Sequence, residues 1–132
     1  MVIVVGYAPG PPGEAALRRG AEEARLRGAA RLVVVNSSRG DALVDRRFAQ
    51  AEDLERVERT LAATGVPWSL HQPVRGREAS EEIVLAAHEA RADLIVIGLR
   101  HRSPVGKLLM GSTAQSVLLD AECPVLAVKA ER

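Results

Sequence analysis

Aromatic side chains are scarce in this sequence: Tyr7, Phe48 and Trp68 make up only 2% of its residues. Proteins that bind single-stranded nucleic acids stack the bases on aromatic rings, so this scarcity argues against that class. Apolar residues nevertheless reach 47% of the 132-residue chain. The core must therefore be aliphatic, built from valine, leucine, isoleucine and alanine.

Net charge is also lacking, since the chain carries 18 lysines and arginines against 17 acidic residues and a formal charge of +1. A protein that binds duplex nucleic acid needs a basic surface that neutralises several phosphates. The charge balance does not provide one. We expect neither nucleic acid nor a membrane as a partner.

Cysteine occurs once, at Cys123, which excludes a disulfide framework within the chain and suits a reducing compartment. Before Pro124, at the start of an apolar run, this thiol is most simply a buried and inert one. The opening stretch MVIVVGY has no basic region and is too short for a signal peptide or a membrane span. We expect a cytoplasmic protein.

Short apolar runs recur along the chain and predict five strands, at residues 2–7, 31–36, 66–74, 93–98 and 124–129. Four runs are nearly continuous in Val, Ile and Leu, as in strands that are covered on both faces. The third run contains Pro67 and Pro73, which predicts an edge strand.

Amphipathic patterns between the runs predict four helices, at residues 14–28, 50–64, 78–91 and 113–121. Gly28 and Gly65 suit helix C-termini, and Ser80 or Ser112 could cap an N-terminus. The alternating order predicts a single Rossmann-like α/β domain over residues 1–132. Its five-stranded, mostly parallel sheet should carry helices on both faces.

Ligands of open α/β sheets bind beyond the carboxyl ends of the strands, where the strand order reverses. This rule directs attention to the stretch APGPPGE after the first strand and to residues 98–117 after the fourth. The second stretch is not a Walker loop, because Gly106-Lys107 is followed by leucine and seven residues separate Gly98 from Gly106, where a Walker loop has four. The stretch GYAPGPPG also lacks the dinucleotide-binding spacing.

Gly111, Ser112 and Thr113 open the last predicted helix, and two interpretations of them stay open. A helix N-terminus with a glycine can hold a phosphate group, since it presents unpaired N–H groups and a partial positive charge. The same residues can equally form an ordinary N-cap, with Ser112 as the capping residue and no ligand.

The spacing of this segment resembles that of the universal stress protein family. Nucleotide-binding members carry Gly-x2-Gly-x9-Gly-(Ser/Thr) after the fourth strand. Here Gly98, two residues, His101, nine residues and then Gly111-Ser112 follow the same spacing. The closing stretch AQSVLLDAECPVLAVK and the order of elements are also similar to the family. The resemblance therefore covers essentially the whole chain.

The resemblance implies a regulatory module that binds ATP or AMP between the ends of the first and fourth strands. The positions that it implies for the site are Gly6, Ala8, Gly98, His101, Gly106, Met110, Gly111, Ser112 and Thr113. It also implies a homodimer through the last strand, acting on protein clients that the sequence does not identify.

Two departures from the family pattern bear on nucleotide binding. His101 replaces the second glycine, and Ala8 stands where the family typically has an aspartate. Losing one charge-assisted hydrogen bond costs roughly 1.5–3 kcal/mol, or about tenfold to a hundredfold in affinity. The alternative function is a stress-response interaction dimer that no longer binds a nucleotide.

The remaining polar residues do not indicate catalysis. Arg100, Arg102 and Lys107 can either neutralise a polyphosphate or form a solvated surface. His71 and His88 fall on predicted surfaces, and no nucleophile–base pair or metal-ligand spacing is present. We expect a protein that is not an enzyme, with slow ATP hydrolysis as a distant third possibility.

Overall fold

The computed structural model describes residues 1–36, 49–73, 76–100 and 111–130. The described residues form a five-stranded sheet with four helices. The elements in chain order are β1 Val2–Gly6, α1 Pro11–Leu26, β2 Arg31–Val35, α2 Ala51–Ala62, β3 Trp68–His71, α3 Ala79–Ala90, β4 Leu94–Leu99, α4 Ser112–Asp120 and β5 Val125–Lys129. The α/β fold predicted from the sequence is confirmed.

All strand pairings in the sheet are parallel, and the strand order is β3-β2-β1-β4-β5. The proline-flanked third strand lies at one edge, as predicted, and β5 lies at the other. The order reverses between β1 and β4, so the crevice expected for a ligand opens at the carboxyl ends of these two strands.

Both faces of the sheet are covered, which explains the continuous apolar runs. On one face, α1 and α2 pack over a cluster that includes Ile3, Val5 and Val34. On the other face, α3 and α4 pack over a second cluster that includes Val4 and Ile95. Alternate residues of one strand therefore enter opposite layers of the core.

Helix ends differ from the sequence expectations at two places and agree with them at a third. The first helix begins at Pro11 rather than at residue 14, because proline at the first helical positions loses no backbone hydrogen bond. Ser80 does not cap α3; Glu78 does so, in a capping box with Glu81. Gly28 follows the end of α1 with φ of 60°, as predicted for a C-terminal glycine.

Candidate functional site

A cleft of about 400 Å³ opens at the carboxyl ends of β1 and β4, at the switch in strand order. Its described lining comes from the β1–α1 connection, the end of β4 and the first turns of α3 and α4. The lining includes the predicted residues Gly6, Ala8, Gly98, Gly111, Ser112 and Thr113. His101, Gly106 and Met110, together with Arg102 and Lys107, lie outside the described residues.

Backbone hydrogen bonds hold the β1–α1 connection at the rim of the cleft. The Tyr7 N–H donates to the carbonyl oxygen of Val35 at 2.9 Å, and the Asn36 side-chain amide donates to the Tyr7 carbonyl oxygen at 2.9 Å. Asn36 is fully buried, and the Oδ1 atom of its side-chain amide accepts a hydrogen bond from the Ala49 N–H at 2.7 Å. The position of Ala8 in the cleft is therefore set by the neighbouring strand.

Asn36 is a supporting residue that the sequence analysis missed. Its signal was available, since a polar residue directly after the buried second strand falls at the same edge of the sheet as the ligand crevice. What the sequence could not show is the partner of this side chain, because Tyr7 is 29 positions away.

A second set of contacts holds the buried side chain of Tyr7 in place. Its hydroxyl donates to Glu14 at 2.6 Å, and Arg56 bridges Glu14 and Asp53 at 3.1 and 2.7 Å. Burial, followed by the hydrogen bond to Glu14, raises the pKa of Tyr7 well above its usual value. The phenol therefore stays neutral and ties α1 to β1 and α2.

Gly98 and Gly13 allow a close approach of backbones beneath the cleft. A Cβ atom on Gly98 would overlap the carbonyl oxygen of Pro12, and one on Gly13 would overlap the carbonyl oxygen of Ala8. With a larger residue at position 98 the first turn of α1 could not sit against β4, and with one at position 13 it could not lie against Ala8. Packing of α1 is thus sufficient to explain the glycine at 98.

Gly111 is different, because neither packing nor backbone strain requires a glycine there. Its φ is −68°, and a Cβ atom would meet no described atom within 4 Å, chain neighbours aside. Gly111, not Ser112, occupies the N-cap position of α4, so the capping role expected of Ser112 is wrong. Within the described residues, no side-chain hydrogen bond caps this helix end.

The charge around the cleft is set by few groups. Among the described lining residues, Arg100 is the only charged one, and no carboxylate is present. The inner wall is apolar and includes Val35, Ile83 and Ile97. The described cleft therefore combines an open helix N-terminus, an arginine and an aliphatic wall.

The other chemically notable residues lie elsewhere. His71 is exposed on β3, and His88 is exposed on α3, 3.7 Å from Glu122. Cys123 is half-buried, and burial raises the pKa of its thiol, so it is not a reactive thiolate. Within the described parts of the chain, no cluster of metal-binding side chains is found, and no helix is long and apolar enough to cross a membrane.

Comparisons with known proteins agree with this architecture. The family model of the universal stress protein family matches residues 1–129. A universal stress protein from Mycolicibacterium smegmatis is 51% identical over 128 residues, which is 97% of both chains. The structure of a universal stress protein from Archaeoglobus fulgidus has a TM-score of 0.80 at 39% identity and 98% coverage of both chains. A structure of the universal stress protein from Archaeoglobus fulgidus in complex with dAMP has a TM-score of 0.70 at 33% identity, again covering 98% of both chains.

Proposed function

The chain belongs to the universal stress protein family, and on that basis we propose that it is a regulatory module that binds an adenine nucleotide, ATP or AMP. The nucleotide occupies the cleft between β1 and β4, and the module acts in the cytoplasm. The observation that carries the proposal is the start of α4, where Gly111 lines the cleft and neither its backbone conformation nor packing against the described residues requires a glycine.

The phosphate group binds at the N-terminus of α4. The first N–H groups of a helix have no partner inside the helix and carry the positive end of its dipole. At Gly111 an anion can approach the backbone without meeting a side chain. Arg100 at the end of β4 adds a positive charge on the same side of the cleft.

The adenosine part lies against the aliphatic wall of Val35, Ile83 and Ile97. Ala8 borders the same space, where the resemblance implies an aspartate in nucleotide-binding relatives. Without that carboxylate one charge-assisted hydrogen bond is lost, so affinity should be about tenfold to a hundredfold lower than in a relative that has it. The dAMP complex of the Archaeoglobus fulgidus protein supports an adenine nucleotide as the ligand class.

We propose binding without turnover. The described lining offers no carboxylate or histidine to activate a water molecule, and robust hydrolysis would need such a base. Bound ATP should then survive for many minutes, far longer than the cycle of typical enzymes at about 1–1,000 turnovers per second. Release of inorganic phosphate from ATP measures this directly.

Gly111→Val tests the phosphate site. The Cβ atom of the added side chain meets no described atom within 4 Å, chain neighbours aside, so we expect the fold to survive while the valine fills the space that the phosphate needs. Titration calorimetry with AMP and ATP should show binding to the wild type and at least about tenfold weaker binding to the variant, which loses charge-assisted bonds to phosphate.

Ala51→Val is the control, because it places the same valine side chain at the first turn of another helix. Ala51 is exposed and directly follows Gln50, the N-cap residue of α2, outside the cleft. Its affinity should equal that of the wild type. Equal affinity of Gly111→Val and the wild type would contradict the proposed phosphate site.

The second candidate is an interaction dimer that has lost nucleotide binding. The absence of a carboxylate at Ala8 favours it, as does the half-buried apolar edge strand β5, which has an unpaired side for a partner. If neither AMP nor ATP gives heat at millimolar concentration and no nucleotide co-purifies with the protein, this function replaces the first.

A further inference from the structure

A second concavity, of about 530 Å³, lies on the other half of the sheet, between α3 and the strands β2 and β3. We call it the α3–β3 groove. Its apolar lining includes Val33, Val35, Leu85 and Ala86, and its polar lining includes Arg31, His71, Gln72, Glu82 and Glu89. It lies apart from the nucleotide cleft at β1 and β4, with Val35 as the one described residue that lines both.

The groove exists because the layer of α3 and α4 does not reach the edge of the sheet. The apolar cluster on that face contains residues of β1, β2, β4 and β5 but none of β3. Ser69 and His71 project from β3 on the same face as Val33 and Val35, with which they pair in register. The face of β3 thus forms a wall of the groove that no described helix covers.

Glu82, on the first turn of α3, is the unusual residue of the α3–β3 groove. It is only 5% exposed, and its Oε1 atom has no hydrogen-bond partner among the described residues. Among the described residues, the nearest cation is the half-exposed Arg77, whose Nη1 atom forms a long ion pair with Oε1, at 3.8 Å and beyond hydrogen-bonding distance. A buried carboxylate oxygen without a hydrogen bond is costly, so a closer cation would stabilise it.

Glu23 is a second buried glutamate of this chain, and its contacts can be compared with those of Glu82. It is 7% exposed, and its two oxygens accept hydrogen bonds from Arg19 at 2.9 Å and from Arg27 at 2.7 Å. These arginines lower the pKa of Glu23, through the bond to Arg27 first. Glu82 has no comparable pair, although it is equally buried.

The charges and the apolar side chains around Glu82 indicate which class of ligand the groove can bind. A carboxylate repels phosphate, and the described residues hold no group of three or more metal-binding side chains that could take a divalent metal ion. Glu82 and Val35, at the carboxyl end of β2, both line the groove, and Arg31 lies at the other end of that strand, about 13 Å along its backbone. The lining also contains the aliphatic side chains of Val33 and Leu85.

We propose that the α3–β3 groove binds a small organic cation with a short aliphatic chain, a guanidinium or a primary ammonium. The cationic head pairs with the carboxylate of Glu82, whose terminal torsion is soft enough to turn either oxygen toward the groove. The aliphatic chain lies on Val33, Val35 and Leu85. The site shares Val35 with the proposed nucleotide cleft, but its charged group, Glu82, does not line that cleft.

The probe for this proposal is n-butylguanidinium, with n-butylurea as its uncharged near-isostere. Titration calorimetry of the wild-type protein should give saturable binding of the cation at millimolar concentration or below. The urea should bind at least about tenfold more weakly, because it lacks the charge that pairs with Glu82. Equal binding of the two compounds, or no binding of the cation, would overturn the proposal.

Glu82→Gln keeps the shape of the side chain and removes its charge. It should weaken binding of n-butylguanidinium at least about tenfold. Glu58→Gln on α2 is the control, since it makes the same charge change at an exposed position on the opposite layer and should leave the affinity unchanged. Equal affinity of the two variants would count against a role of Glu82.

Arg77→Gln decides the question even if Glu82→Gln fails to fold. Arg77 is the cation nearest to Glu82, so its removal should tighten the binding of n-butylguanidinium. Unchanged or weaker binding would overturn the proposal. AMP binding by these variants should equal that of the wild type, which separates the outcome from that of the nucleotide test.

Discussion

Two glycines in the described part of the family motif illustrate how one residue type serves different purposes. Gly98 is required by the backbone of Pro12, which leaves no room for a Cβ atom. Gly111 has ample room and an ordinary backbone conformation, so its advantage lies in what approaches it from the cleft. Glycine therefore makes a packing contact at position 98 and is a candidate phosphate contact at position 111.

Ala8→Asp should restore the carboxylate that the family pattern places at the end of the first strand. Ala8 is half-buried and lines the cleft, so the new group enters the space proposed for the nucleotide. We expect AMP and ATP to bind about tenfold to a hundredfold more tightly, the value of one charge-assisted hydrogen bond. Calorimetry measures the change in Kd.

Ala8→Asn provides the comparison for that variant, since it adds a group of the same shape without the charge. Its gain in affinity should be smaller than that of Ala8→Asp. If both variants bind as weakly as the wild type, position 8 does not contact the nucleotide.

At the scale of elements, the cleft depends on how closely α1 approaches β4. The first turn of α1 lies over the end of β4, where Gly98 meets the backbone of Pro12, and Gly13 meets the backbone of Ala8 in the β1–α1 connection. The Tyr7–Glu14–Arg56 contacts then join this helix to β1 and α2. The rim of the cleft is therefore part of the rigid core layer.

Gly98→Ala should destabilise the protein, because its Cβ atom would push the first turn of α1 away from β4. The expected loss in the free energy of unfolding is about 1–3 kcal/mol, typical of overpacking in a dense core. Gly111→Ala, which adds the same methyl group in open space, should change stability by less than about 0.5 kcal/mol. Urea denaturation of both variants would measure the difference, and equal stability would contradict the contact at Pro12.

At the scale of the whole molecule, the two edges of the sheet differ. The β3 edge is bounded by Pro67 and Pro73 and ends in the exposed His71, features that discourage pairing. The apolar strand β5 forms the other edge and pairs with β4 on one side, and its residues Val125 to Val128 are half-buried. Such an edge favours association of two copies about a two-fold axis.

We predict a homodimer in solution that pairs through β5. Ala127→Lys should weaken it, because the half-buried Ala127 lies on that strand and a lysine there would place a charge at the interface. His71→Lys, the same charge change on the opposite edge strand, should leave the dimer intact. Light scattering at micromolar concentration measures both, and a monomeric wild-type protein would contradict the prediction.

The order and type of the elements were determined by the sequence alone, since apolar runs of strand length and amphipathic patterns are local properties of the chain. The family resemblance and the position of the cleft followed from the same local signals, together with the rule that relates strand order to ligand sites. The edge position of β3 could also be predicted, because proline cannot donate to a sheet ladder.

Only the tertiary structure decided what individual residues contact. Gly98 lies against the backbone of Pro12, and Asn36 donates a hydrogen bond to Tyr7; both contacts join residues from different parts of the chain. The buried Glu82 oxygen that has no hydrogen-bond partner among the described residues also depends on how α3 packs on the sheet. The burial of Glu82 could not be read from the helical pattern of α3, because that pattern does not show where the neighbouring sheet ends. Burial depends on which elements pack together, and that information is spread over the whole chain.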